Sequence, residues 1–278
     1  MLINIVVFVL AVYLAIMLGM FLLQRSLMYY PEKHIEDPAH YGLDAALVIR
    51  LPTSDGIAID VWHHAAEKAH FPTIVYFHGN AGHVGDRAEK LRHFADAGFG
   101  ILALSYRGFG KSDGLPTELG LYEDARTAVA YAKEKLEIGA EELMIYGESL
   151  GSGVATHTAY MLAQGGTPIG ALILEAPYTS VARRAQEMYP FIPAFWLARD
   201  KYHSIDKIDK IKAPLLLFHG EKDTVIPVHH GRTMLEKALD PKQGVFFDEV
   251  DHTAFDYPTL TEHLVNFATL HGLIKSEK

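Results

Sequence analysis

Five residues, Gly147-Glu148-Ser149-Leu150-Gly151, stand between the apolar run Leu143-Met144-Ile145-Tyr146 and a stretch of helical character beginning near Leu150. A serine bracketed by glycines at this spacing predicts a tight strand-to-helix turn that holds a hydroxyl above the end of a sheet. The glycines have a physical reason: the serine backbone is strained, and side chains two residues to either side would strike the neighbouring strand and helix. Such a turn needs a strand before it, a helix after it, and further strands to complete a sheet.

The rest of the chain supplies them. Ala46 to Leu51 and Ile57 to His63 read as short strands around Ser54-Asp55-Gly56, where Asp-Gly is a hairpin signal, so the sheet is expected to start antiparallel. From there strands and helices alternate. Strands are predicted over Thr73 to Phe77, Phe99 to Leu104, Leu143 to Tyr146, Ala171 to Leu174, Pro214 to Phe218 and Val245 to Val250. Helices are predicted over His83 to Ala97, Thr117 to Lys135, Leu150 to Ala163, Val228 to Leu239 and Thr259 to Leu270. This order predicts an α/β fold: a mostly parallel sheet of eight strands with helices on both faces. Its length suits one domain, over 46–278. Tyr178 to Lys212 breaks the rhythm with Pro190, Pro193 and several aromatics, and is expected to form a short lid (178–212).

Ahead of the domain, Leu2 to Leu23 is apolar apart from Asn4. As a helix it would be roughly 33 Å long, enough to cross a bilayer core. A cleaved signal peptide is the rival reading. The run is longer than a signal core, no Lys or Arg precedes it, and no Ala-x-Ala-like site follows, so an uncleaved single-pass anchor over 1–24 is expected. Arg25 and Lys33 lie on its C-terminal side, which places the domain in the cytoplasm by the positive-inside rule. The mixed stretch 25–45, with Tyr29-Tyr30-Pro31 resembling an interfacial aromatic patch, is expected to link the two.

Residues that follow strands line the crevice where ligands bind in open α/β sheets. Ser149, Asp223 in Gly220-Glu221-Lys222-Asp223, and His252 in Asp251-His252 all fall there, in the order Ser, Asp, His. A serine hydroxyl becomes a useful nucleophile when an imidazole accepts its proton, and a carboxylate fixes the imidazole's tautomer. His252 is the expected base and Asp223 the expected acid, with Glu221 on the same loop as the alternative. Negative charge on the attacked carbonyl needs backbone donors. The N–H of Leu150 is one, and the Asn80 amide in His78-Gly79-Asn80-Ala81-Gly82 the other, with Gly79 the near alternative.

His219 is expected to be structural. His63-His64 and His229-His230 have no second ligand pair at useful spacing, so no metal is expected. Gly110-Lys111-Ser112 ends like a phosphate loop, but Ser105 stands where that motif needs glycine. Gly108-Phe109-Gly110 meets Asp113 where a dinucleotide loop needs its third glycine. A formal charge of −9 gives no footprint for nucleic acid, and zero cysteines exclude a thiol nucleophile or a disulfide framework.

Taken together, Tyr30-Pro31, His78 to Gly82, Ser105-Tyr106-Arg107-Gly108-Phe109-Gly110-Lys111-Ser112, Gly147 to Gly151, Gly220 to Asp223 and Asp251-His252 resemble the α/β-hydrolase superfamily. The resemblance runs from Tyr29 to about Leu270. It points to membrane-anchored, small-lid serine hydrolases, among them abhydrolase-domain depalmitoylases and lysophospholipase or serine-aminopeptidase-like relatives. Members often show Asp where Ser105 stands and Gly where Ser152 stands; neither departure touches Ser149, Asp223 or His252. The resemblance implies hydrolysis of esters, thioesters or amides without a cofactor.

Met188, Tyr189, Phe191, Ile192, Phe195 and Trp196 give the lid an apolar surface suited to an acyl chain. With the anchor, this favours a small-molecule or lipid acyl substrate near the bilayer. A peptidase holding a free N-terminus is the second reading, for which Glu148 and Glu175 are the acidic candidates. A membrane-tethered binding protein on the same fold is the third. Oligomeric state is left open.

Overall fold

The computed structural model describes residues 1–68 and 71–275, so the expected domain end at 278 lies outside the described residues. A 22-residue helix, α1 (Leu2–Leu23), opens the chain and is long and apolar enough to cross a membrane. The sheet behind it has eight strands: β2 (Leu47–Pro52), β3 (Ala58–His64), β4 (Thr73–Phe77), β6 (Gly100–Ser105), β7 (Leu143–Glu148), β8 (Ala171–Glu175), β9 (Leu215–Gly220) and β10 (Lys242–Phe247). Their spatial order is β10-β9-β8-β7-β4-β6-β3-β2. Among the described residues only the β2–β3 and β3–β6 pairs are antiparallel. The predicted fold class is therefore the observed one.

β4, β6, β7 and β8 are buried along their whole length, which is why they read as continuous apolar runs rather than alternating ones. α3 (Glu118–Glu134) and α4 (Leu150–Gln164) cover one face, burying Leu121, Ala125, Val154 and Ala155 against Val75 and Ile145. α2 (Ala88–Asp96) and α8 (Tyr257–Leu270) cover the other, with Leu91, Phe94, Leu264 and Phe267 against Tyr76 and Tyr146. α7 (His229–Lys237) lies beside β9, with Met234 buried.

Some boundaries differ from the sequence reading. The helix expected over His83 to Ala97 is a 3-10 turn, Val84–Arg87, followed by α2. Arg87 (φ −103°, ψ 2°) leaves α geometry at the junction, and its guanidinium reaches Glu148. The last strand runs over Lys242–Phe247 rather than Val245 to Val250, because pairing along β9 from Leu215 to Gly220 uses Lys242 and Gln243. α8 starts earlier than expected, at Tyr257, where Asp256 caps it by accepting from the Thr259 amide at 3.0 Å.

The stretch read as a linker is tied into the domain. β1 (Tyr30–Pro31) pairs in parallel with β5 (Ala81–Gly82), a two-stranded ribbon the sequence reading did not foresee. Tyr29, read as interfacial, is buried, and its hydroxyl meets that of Tyr202 at 2.9 Å. The segment 178–212 carries α5 (Val181–Met188), capped by Ser180, and the short α6 (Ala194–Leu197), and it meets α1. Tyr13 donates to the Phe191 carbonyl at 2.7 Å, and Arg25 to Asp200 at 2.8 Å.

Candidate active site

Ser149 sits at the junction of β7 and α4 with φ 51° and ψ −114°, a strained conformation for a residue with a side chain. Its amide donates to the Glu175 carbonyl at 2.9 Å, which pins the turn to the next strand. The flanking glycines are required by contact: a Cβ on Gly147 would fall 2.3 Å from the Gly151 carbonyl oxygen, and one on Gly151 would fall 2.0 Å from that of Phe77. The hydroxyl is thereby forced up off the sheet edge.

His252, after β10, meets it. Nε2 lies 2.8 Å from Ser149 Oγ, and Nδ1 lies 2.7 Å from Asp223 Oδ2. Asp223 follows β9, and its Oδ1 accepts from the amides of Val225 and Ile226 at 2.8 and 2.7 Å. Burial alone would raise its pKa, yet the hydrogen bonds from His219 and His252 and the His252 charge outweigh it and hold the carboxyl well below the usual range. An ionised Asp223 accepting at Nδ1 leaves Nε2 free to take a proton. The alternative acid, Glu221, turns away to Arg232, and His219 Nε2 is shared between the Ile226 carbonyl at 2.8 Å and Asp223 Oδ2 at 3.3 Å.

Leu150 is the first residue of α4, so its N–H has no partner within the helix. Across from it, the buried ring of His78 contacts the Gly79 carbonyl at 2.7 Å through Nδ1. Burial depresses the His78 pKa to about 3, so the ring is neutral and Nδ1 carries the donated hydrogen. In a trans peptide the carbonyl and the following N–H point opposite ways. Holding the Gly79 oxygen back thus turns the Asn80 amide outward, which favours Asn80 over Gly79 as the second donor. The rest of Asn80 is clamped: its side chain donates to the Met28 carbonyl at 2.8 Å, and its own carbonyl accepts from Tyr30 at 2.9 Å. The sequence reading placed His78 in this loop without giving it a role, and did not bring Met28 or Tyr30 to it.

A buried ionic cluster lies beneath the turn. Lys90 donates to Glu148 Oε2 at 2.9 Å and to both oxygens of Glu175 at 2.8 and 2.7 Å. Arg87 Nη2 reaches Glu148 Oε1 at 2.9 Å, Tyr76 donates to Glu148 Oε2 at 2.5 Å, and Tyr146 donates to Glu175. Burial opposes ionisation of Glu148, but Lys90 and Arg87 overcome it and push its pKa well down. The two carboxylates that sequence offered for binding a free N-terminus are thus committed to this cluster.

Above the turn is an apolar cavity of about 270 Å³ reaching Ser149, Leu150 and Asn80. Its walls include Met188 and Ile192 of the 178–212 segment and Met17, Met20 and Phe21 of α1. Outside it, Glu187 joins His229 and His230, all three donor atoms lying within 4.8 Å of one another. Sequence spacing did not foresee Glu187 there. The Thr179 amide and hydroxyl meet His230 Nδ1 at 3.3 and 2.9 Å. The His230 proton therefore sits on Nε2, facing Glu187 Oε2 at 3.0 Å, an arrangement complete without an ion.

Known proteins resemble this chain in sequence and in fold. A family model described as "Serine aminopeptidase, S33" matches residues 68–202. Lysophosphatidylserine lipase ABHD12 of Danio rerio is 31% identical over 241 residues, covering 75% of this chain and 63% of that protein. The chain thus spans under two thirds of that relative's length. An uncharacterized protein of Mycobacterium tuberculosis is 31% identical over 230 residues, covering 82% of this chain and 80% of its own. Among solved structures, an alpha-beta hydrolase from Vibrio vulnificus superposes with a TM-score of 0.70 at 20% identity, covering 86% of this chain and 88% of that one.

Proposed function

The chain belongs to the serine hydrolases of the α/β-hydrolase superfamily, and from that membership we propose that it is a membrane-tethered hydrolase of acyl esters or thioesters carried by lipids or lipidated proteins. Residues 1–24 are the anchor, 25–45 the connection, and 46–278 the hydrolase domain with 178–212 as its lid. Arg25 and Lys33 beyond the anchor favour a cytoplasmic domain. The observation that carries the reading is the continuous chain Asp223–His252–Ser149, at 2.7 and 2.8 Å, facing an apolar cavity.

In this mechanism His252 Nε2 takes the Ser149 proton as Oγ attacks the acyl carbonyl carbon. The resulting oxyanion is held by the amides of Leu150 and Asn80, each such donor supplying roughly 10²- to 10³-fold in rate. His252 then gives its proton to the leaving oxygen or sulfur, and the acyl group stays on Ser149. Water, deprotonated by His252, attacks the acyl-enzyme, and the acid departs as Oγ regains its proton. Asp223 stays ionised and stabilises the imidazolium at each stage.

The lipase named among the relatives supports a lipid-like substrate, and the apolar walls of the cavity do so independently. A peptidase is less well supported, because Glu148 and Glu175 are consumed by Lys90 and Arg87. The test is labelling of the full chain by a fluorophosphonate, together with hydrolysis of a graded series of acyl esters. Wild type should label and Ser149→Ala should not, with long-chain esters preferred. Equal labelling of both, or a preference for free peptides, would refute the reading.

A further inference from the structure

The cavity above Ser149 is shared between two parts of the chain that sequence alone would keep separate. Met17, Met20, Phe21 and Gln24 lie at helical spacings of three and four, so they form one stripe on α1. That stripe lines the cavity, while Leu18 and Leu22 on the other side of the same turns are exposed. The stripe is fixed in place by polar contacts along its length. Gln24 Oε1 accepts from the Arg199 amide at 2.7 Å, the Arg199 guanidinium lies 4.4 Å from the Phe21 ring centre, and Arg25 pairs with Asp200 at 2.8 Å.

A length argument places this wall in the lipid. The described helix, Leu2–Leu23, rises about 33 Å, which matches the ~30 Å of a hydrocarbon core with the turns that carry Met17 to Phe21 counted within it. The 178–212 segment must then enter the same leaflet, since Phe191 is bonded to Tyr13 still further along α1. Its exposed aromatics agree: Phe191 is 87% and Trp196 76% accessible.

We infer that the last two turns of α1 form one wall of the acyl-binding cavity, and that the acyl chain of a lipid substrate enters it sideways from the bilayer between the anchor and the 178–212 segment. The inference rests on the hydrolase reading above. The cavity of about 270 Å³, lined largely by apolar side chains, suits an acyl chain. Methionines at positions 17, 20 and 188 suit a wall that must adapt to a flexible chain. The reacting carbonyl comes to rest between Ser149 Oγ and the Asn80 and Leu150 amides, and the leaving headgroup remains on the side of Arg25, at the polar end of the stripe.

The experiment uses the full chain in lipid vesicles with palmitoyl lysophosphatidylcholine and, in parallel, water-soluble p-nitrophenyl acetate. Met17→Trp with Met20→Trp fills the cavity from the anchor side, whereas Leu18→Trp with Leu22→Trp adds the same bulk to the opposite side. The ratio of palmitoyl to acetyl kcat/KM should fall on the order of tenfold or more in the first pair, the scale of lost fit in an apolar pocket, and stay unchanged in the second. Met20→Ala, which enlarges the space, should move the preference towards longer chains. An unmoved ratio in the filled variant, or equal loss on both esters, would overturn the inference while leaving the hydrolase reading intact. A wild type that hydrolyses neither ester would overturn both.

Discussion

The floor and the roof of the site are built from opposite materials. Below Ser149, Lys90 is 2% accessible and its ammonium is saturated by two carboxylates, each of which has a further partner. Above it, the side chains of Met17, Met20, Phe21, Met188 and Ile192 are thioethers, an aliphatic group and an aromatic ring, none of which can hydrogen-bond to another. Charges removed from water are tolerable only when each is paired in one geometry, so the floor has a single arrangement. Apolar side chains tolerate repacking at little cost, so the roof can follow its ligand. The floor thus holds the chemistry in one geometry, while the roof leaves latitude for the choice of substrate.

The sharpest way to test the floor is to disturb its polar order without changing its shape. Asp223→Asn keeps volume and most contacts but presents the wrong hydrogen-bonding group to His252 Nδ1, 2.7 Å away. Ester turnover should fall by roughly 10⁴ in kcat, with the unfolding midpoint almost unchanged. A loss of under tenfold would mean that Asp223 does not orient the base.

Lys90→Met tests stability instead. It leaves Glu175 buried with no cation and Glu148 with only Arg87. Denaturant unfolding should show a loss of about 3–5 kcal/mol, and adding Glu175→Gln should recover part of it, since removing one partner costs far more than removing both. Recovery would be absent if Lys90 acted only through the bulk of its stem. The pH dependence carries a sign. Glu148 has a depressed folded pKa, so its stabilisation is present above its ordinary carboxylate range and is lost as pH falls below it.

His78 allows a subtler break in the floor. Its folded pKa of about 3 lies below the ordinary 6.5, so the native state binds fewer protons than the unfolded chain between these values. Stability therefore falls as pH drops through that window, by up to ~1.4 kcal/mol per pH unit from this one group. His78→Asn, whose amide can still donate to the Gly79 carbonyl, should remove that part of the slope while leaving the Asn80 amide turned outward. An unchanged slope would show that His78 does not titrate as a buried base.

How far each half could be read from sequence follows the same division. Ser149, Asp223 and His252 were legible because strand ends, a glycine-bracketed serine and chain order are local signals. Their supports were not. Lys90 and Glu148 look like ordinary charged residues, and their pairing exists only because α2 crosses β7 and β8. Tyr29-Tyr30-Pro31 carried a real signal, but its partner, the Asn80 loop, is fifty residues away and no periodicity records that meeting. The cavity wall on α1 was the least legible: a helix that is apolar on every face does not announce which stripe is covered. Glu187 beside His230 is the same lesson on the lid, a contact between segments that spacing cannot reveal.

The roof offers the smallest energetic effect and the most pointed contrast. Met188 closes α5 and lines the cavity, yet its side chain is already 48% accessible. Truncating it in Met188→Ala removes little buried area, so unfolding stability should change by less than about 1 kcal/mol, within the range of substitutions that break no cap, pair or tight core contact. Turnover of a short ester should hold, because Met188 supplies neither an oxyanion donor nor any of the groups Ser149, His252 and Asp223. What should move is discrimination between neighbouring acyl lengths, by the few-fold expected when one wall of an apolar pocket recedes. Chain-length profiles of wild type and variant, measured beside their unfolding curves, decide the matter. A stability loss comparable to that of Lys90→Met with an unmoved profile would mean that roof and floor are one rigid body, and the contrast between them would fail.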